Sequence, residues 1–347
     1  MTPGPGRRVD AHVHLTRHWP DLAGTAYRLD LDYTVTGLLR EMDAAGVGSA
    51  LAISVVETPD VGASIEEGRA LAKASGGRLR PVSTVDPTAG TESVTAALDA
   101  LRQVPELAAL KLYPGYRPFY PHDARLDRVY EFAAARRLPV LIHQGDTLSR
   151  HGLLKFARPI EVDEVAVRWP EVNFVLCHLG NPWIEETAEL VYKNTNVWTD
   201  CSGLLAKPSV PYFHEMFDRA RTLLAQLVMT IGSADRVLYG SDWPLESIET
   251  GACVSTSPGY VRVAYSQRTL PVSASSAWIA PRPDASSIVR IKTSPFHATG
   301  AAAARCPRLR VSSRRHSSLP FDAASAKASV LVSPYTRPPS TVSPFAR

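Results

Sequence analysis

The sequence predicts an α/β chain in which the first 250 residues form a (β/α)8 TIM barrel. Short apolar runs of strand length alternate with amphipathic helical stretches along residues 1–250. The run over 49–56 is nearly continuous rather than alternating, as a parallel strand buried on both faces requires. Several of the runs end in His or Asp beside Gly, at the mouth where such a barrel displays its chemistry.

The elements follow in order. Residues 8–15, R-V-D-A-H-V-H-L, make the first strand, and a long loop over 16–33 carries His18, Trp19 and Tyr27. Thr34 caps a helix in which Val35, Leu38, Leu39 and Met42 recur at helical spacing and which Gly46 stops. Residues 49–56 form the second strand, 64–75 a helix, 79–85 a strand, and 91–102 a helix capped by Thr91. Strand four, 107–113, carries Lys111; a helix over 123–137 and strand five, 138–143, come next. A helix at 161–169, strand six at 172–178, and a helix to Lys193 opened by Asn181 and Pro182 continue the alternation. Strand seven covers 196–201, a helix 212–227, and strand eight 236–242. Residues 245–250, L-E-S-I-E-T, read as the first turn and a half of a final helix that is cut short.

Composition changes abruptly there. Residues 1–250 hold 25 Lys+Arg against 32 Asp+Glu, whereas residues 251–347 hold 13 against 2, with 18 Ser and 11 Pro. A segment so poor in periodic apolar residues cannot offset its ordering entropy, so residues 251–347 are expected to be a disordered tail and 1–250 the folded domain. A shifted reading frame after about Thr250 is the expected cause of a missing normal final helix. A basic tail for acidic partners is the alternative, weakened by the dispersal of its charges. The four cysteines show no C-x-x-C spacing and read as free thiols in a reducing compartment. No apolar run of signal-peptide or membrane-spanning length is present, so a cytoplasmic protein is expected, with a small-molecule substrate, no nucleic-acid or membrane partner, and a homodimer left open.

Candidate site residues fall at strand ends. His12 and His14 lie two apart on a strand and so share a face, with Asp10 beside them, and two imidazoles so placed can grip one metal ion. Strand five ends L-I-H-Q-G at His143, strand six V-L-C-H-L-G at His178, and strand eight Y-G-S-D-W-P at Asp242. Each alone can be a hydrogen-bonded strand end or a helix cap; together they describe a divalent metal site. Zn²⁺ suits imidazole and carboxylate donors, with Mn²⁺ as the alternative. Asp242 and His178 are the acid/base candidates, since either can take and return a proton beside a metal-activated water.

The motifs D-A-H-V-H-L, K-L-Y-P-G-Y, L-I-H-Q-G-D, C-H-L-G-N-P-W and Y-G-S-D-W-P resemble those of the amidohydrolase superfamily. The likeness is closest to the amidohydrolase-related branch, which includes aminocarboxymuconate semialdehyde decarboxylase and aromatic-acid decarboxylases as well as hydrolases. It covers about residues 8–250. It implies that His12, His14, His143 and Asp242 bind one divalent metal, and that His178 acts near it as an acid/base group or further ligand. In family members with two metals a carboxylated lysine sits near the place of Lys111. That residue is read three ways: a metal bridge, a cation for a substrate carboxylate, or a salt-bridged structural lysine. Tyr113 and Trp243, like Tyr116, Trp183 and Trp198, either line a substrate pocket or pack the barrel. Asp200 is read as a hydrogen-bonding support.

The leading expectation is a metal-dependent hydrolase of a small carboxylate-containing ester, lactone or amide, with Arg17, Arg117 and Lys111 as cations for the anion. A metal-dependent non-oxidative decarboxylase of an unsaturated or aromatic acid is the second. A destabilised, non-functional chain with a disrupted C-terminus is the third, because losing the last helix removes packing worth several kcal/mol.

Overall fold

The computed structural model describes residues 8–204 and 213–248. Eight parallel strands lie side by side in chain order: β1 (Arg8–Val13), β2 (Val47–Ile53), β3 (Leu79–Thr84), β4 (Ala109–Leu112), β5 (Val140–Ile142), β6 (Phe174–Leu176), β7 (Val197–Asp200) and β8 (Val237–Leu238). Between them run α1 (Pro20–Arg28), α2 (Val35–Ala44), α3 (Val61–Ala74), α4 (Thr91–Arg102), α5 (Asp127–Arg136), α6 (Asp163–Arg168), α7 (Ile184–Lys193) and α8 (Phe213–Ile231). The barrel predicted from the alternation is the one observed.

Its closure depends on backbone beyond the short β8. Ala11 N–H donates to Tyr239 O at 2.8 Å, Asp242 N–H to His12 O at 2.8 Å, and His14 N–H to Trp243 O at 2.7 Å. Asp10 adds a side-chain stitch, its Oδ1 accepting from the N–H groups of His12 and Ser241.

The pleat sorts the side chains. Leu51, Val82, Ala109, Leu141, Val175 and Leu238 meet in the barrel interior, with Trp198 packed against them. Two residues further along four of these strands, on the same face, stand Lys111, His143, Cys177 and Asp200. A second apolar layer joins the outer strand faces to the helices, including Leu38 and Met42 of α2 and Leu224 and Leu227 of α8.

Several boundaries differ from expectation. The loop predicted over 16–33 contains α1, since Pro20 opens a helix whose Leu22 and Ala26 bury one stripe. Asp60, not a later residue, caps α3 by accepting from Ala63 N–H. Thr91 is inside α4, behind Gly90 at φ 94°. Asn181–Pro182 is a cis peptide, so this pair precedes rather than starts α7, which begins at Ile184. Strict alternation also fails in β1: the register against β2 slips by one residue between Asp10 and Val13. Asp10 therefore does not simply share the face of His12 and His14, and instead binds backbone.

Residues 245–247 are not helical, and helical backbone starts at Ile248. Ile248 is anchored there, its N–H donating to Glu41 Oε2 and its carbonyl accepting from Tyr239 Oη. The rest of the expected final helix and the expected tail over 251–347 lie outside the described residues. No described helix is long and apolar enough to cross a membrane.

Candidate metal centre

β1 delivers His12 and His14 to the mouth of the barrel, and the chain leaving β8 delivers Asp242 against them. Asp242 Oδ1 lies 3.5 Å from His12 Nε2 and 3.4 Å from His14 Nε2. One ligand atom from each of these three buried residues falls within 4.8 Å of the others. Asp242 sits at φ 58°, a conformation that a non-glycine residue holds only where its surroundings fix it. Here the backbone bond to His12 O does so.

Each imidazole is oriented through one ring nitrogen by a neighbouring oxygen. His12 Nδ1 meets Asp200 Oδ2 at 3.0 Å, His14 Nδ1 meets Ile53 O at 3.0 Å, and His143 Nε2 meets Asp146 O at 2.9 Å. His178 Nδ1 meets Ser202 O at 3.2 Å and Ser202 Oγ at 2.9 Å. Such acceptors fix the tautomer that a metal-binding histidine needs. His12 Nε2 is buried with no hydrogen-bond partner. A bare buried nitrogen facing a carboxylate is costly unless a cation or proton joins them, so the donor set fits a divalent ion such as Zn²⁺.

Electrostatics agree. Burial, reinforced by the charge of Lys111, pulls His12 down to about 3. Burial also lowers His143, helped by His178, and lowers His178 against the pull of Asp242. Neutral imidazoles result, the form that binds metal. Burial pushes Asp242 and Asp200 upward, but the surrounding histidines outweigh it and hold both below the usual carboxylate range.

His143 stands one ring further out, its centroid 5.0 Å from that of His178. Its Nδ1 is the nitrogen left for a ligand role. Lys111 is fully buried, and its Nζ donates to Cys177 Sγ at 2.9 Å. Tyr113 is buried, its hydroxyl donating to Ser54 O, and its ring stacks 6.1 Å from His143. Trp243 is 0 % exposed, stacked 5.3 Å from Tyr33 with Nε1 donating to Glu41, which gives its ring to the core rather than to the mouth. Arg17 pairs with Glu66 on the surface. Arg117 pairs with Asp86 at 3.2 Å, and both line a cleft of about 320 Å³ together with Tyr113. That cleft adjoins the histidine cluster without containing it.

Asp200 does more than a single support. Oδ2 holds the His12 ring while Oδ1 accepts from the backbone N–H of His178 and of Ser202 and from the Ser202 hydroxyl. Ser202 escaped the sequence reading. Its signal is local: a serine two residues after a strand-end aspartate is placed to close a side-chain turn. Gly203 completes the corner, since a Cβ there, at φ 69°, would lie 2.8 Å from Asp242 Oδ2 and 3.0 Å from His178 Nδ1. Asp200→Asn is expected to weaken divalent-metal affinity by about 10- to 100-fold with the fold retained, read by competition against a chromogenic chelator.

The family model described as amidohydrolase matches residues 9–250. This chain belongs to that family. Similar solved structures include a TIM-barrel protein of Bordetella bronchiseptica, at 20% identity, covering 71% of this chain and 89% of that one, TM-score 0.54. 5-Carboxyvanillate decarboxylase from Sphingomonas paucimobilis is 15% identical over 77% of this chain and 94% of that one, TM-score 0.51. An amidohydrolase from Burkholderia multivorans is 18% identical over 69% and 85%, TM-score 0.51. At such identities these structures speak to the fold of the amidohydrolase chain alone. No curated protein matches the sequence.

Proposed function

We propose that this amidohydrolase is a metal-dependent hydrolase of a small carboxylate-containing ester, lactone or amide. The observation that carries the reading is the bare, buried Nε2 of His12, beside Asp242 Oδ1 and the facing Nε2 of His14. His12, His14 and Asp242 would hold the cation, with His143 closing the set through Nδ1, and the small molecule is the only partner the reading requires. When bound, a Zn²⁺ or Mn²⁺ ion polarises a substrate oxygen and brings the acidity of a coordinated water from 15.7 toward about 7. The chain's own groups do the rest. Asp242, held ionised by its imidazole neighbours, accepts a proton at the carboxylate oxygen that its ligand role leaves over, Oδ2. Asp242 then gives that proton up to the leaving group, directly or by way of His178, whose ring stands 3.9 Å from Asp242 Oδ2. The cleft walled by Tyr113 takes the remainder of the substrate, and Arg117 at its side is the cation for a carboxylate.

The test is elemental analysis of purified protein, then a panel of carboxylate-bearing esters, lactones, amides and aromatic acids with and without chelator. Chelator-sensitive release of acid supports hydrolysis. Release of CO₂ without hydrolysis would replace this reading by the decarboxylase, and inactivity of a metal-loaded, folded protein on the whole panel would end both.

A further inference from the structure

We propose that Cys177 is a sulfur ligand of this centre, so that the cation sits among nitrogen, oxygen and thiolate donors rather than nitrogen and oxygen alone. The inference rests on the metal-dependent reading above and deepens it. A donor atom from each of His12, Cys177 and His178 lies within 4.8 Å of the others, and His12 is shared with the triad of His14 and Asp242. The sulfur of Cys177 thus stands beside a ring nitrogen of the one residue that both groups share. Donors arranged tetrahedrally at about 2.0–2.3 Å from zinc stand roughly 3.5 Å apart, so closing the cluster takes only ångström-scale side-chain movement.

The placement of Cys177 is built in. It follows Val175 by two residues on the interior face, at the end of β6, level with the polar layer that holds Lys111, His143 and Asp200. Consecutive residues of a strand ordinarily face opposite ways, and Cys177 and His178 both reach the site because His178 turns at φ 63°. That turn is pinned by His178 N–H donating to Asp200 Oδ1 at 2.9 Å. Cys177 is 0 % exposed, and Lys111 Nζ donates to its sulfur at 2.9 Å. Burial holds the Cys177 thiol well above its usual range and Lys111 offsets this only in part, so it is coordination that would release the thiol proton. The second observation is the unpartnered, fully buried His12 Nε2. Among the described residues Lys111 has no other hydrogen-bond partner than Cys177, which leaves the lysine a supporting cation behind the ligand.

A thiolate is soft, so the centre should prefer Zn²⁺, Co²⁺ and Cd²⁺ over Mn²⁺ and Mg²⁺. The experiment is Co²⁺ loading of the apoprotein, wild type and Cys177→Ser, followed by absorption spectroscopy. The expected result is a sulfur-to-cobalt charge-transfer band in the near ultraviolet for the wild type, absent from Cys177→Ser while visible ligand-field bands persist. Zn²⁺ affinity should fall at least about tenfold in the variant while Mn²⁺ affinity changes little. Visible bands without the ultraviolet band in the wild type would overturn the sulfur assignment and leave the metal centre standing. Failure of folded wild-type protein to take up cobalt or zinc would overturn both. The wild-type spectrum decides even if the variant does not fold.

Discussion

His12→Ala is expected to abolish tight divalent-metal binding and to reduce turnover by at least about 10³-fold. His12 is the shared member of both donor clusters, and its Nε2 is the one ring nitrogen in the group that is buried with nothing to satisfy it. Removing it takes away a ligand and also strands Asp200 Oδ2, which the ring otherwise engages at 3.0 Å. The cation's contribution to a hydrolytic transition state is several kcal/mol; at 1.36 kcal/mol per tenfold, a loss of that size gives the quoted factor. Thermal unfolding separates this from plain destabilisation. A metal that binds only the folded wild type at a thousandfold excess over its Kd adds about 4 kcal/mol, and the melting temperature rises accordingly. His12→Ala should show no such rise while still melting cooperatively. Retention of the metal-dependent rise in the variant would remove His12 from the centre, and with it the reading built on that residue.

How much of this was legible in the chain depends on which physical signal carried it. The barrel was, because fully buried parallel strands must be apolar on both faces, and β2 is buried at all seven positions. His12, His14 and Asp242 were legible as strand-end polar groups, and the structure brings those three together. The corner formed by Asp200, Ser202 and Gly203 was visible only in part, since its effect arises from backbone donors two to twenty-two residues away. The free thiol expected of Cys177 is observed, and its pleat parity with Val175 places it inside the barrel. The β1 register slip left no signal in residue types, being a property of pairing with β2 rather than of β1 itself. Trp243 misled for a related reason. An aromatic residue next to a catalytic aspartate looks like pocket lining until the backbone bond between His14 and Trp243 turns its ring onto Tyr33.

The metal-free protein is expected to lose stability steeply as pH falls below about 6.5. His12, His143 and His178 all have folded-state values below the usual histidine range because burial disfavours their charged forms. In the unfolded chain each takes a proton near 6.5. Below that pH the unfolded state therefore binds up to three protons that the folded state refuses, and stability must fall with pH. Asp10 acts the other way: burial, against hydrogen bonds from Ser241 and His12, pushes it up to about 7, so the folded state holds a proton there that the unfolded state releases above about 3.9. The difference is up to two protons, a slope on the order of 3 kcal/mol per pH unit while the three imidazoles stay neutral. Asp200 and Asp242 add nothing to this window. Their folded values lie below the unfolded one, so their contribution is intact above about 4 and is lost only as the pH drops further. Against a total stability of about 5 to 15 kcal/mol, the imidazoles alone bring unfolding within a few pH units. Urea midpoints of the chelated protein measured from about pH 7.5 down to about pH 5 should shift downward with a constant denaturant slope. A midpoint independent of pH over that interval would mean that these imidazoles are not held neutral in the fold. It would thereby remove the electrostatic basis for a cation among them.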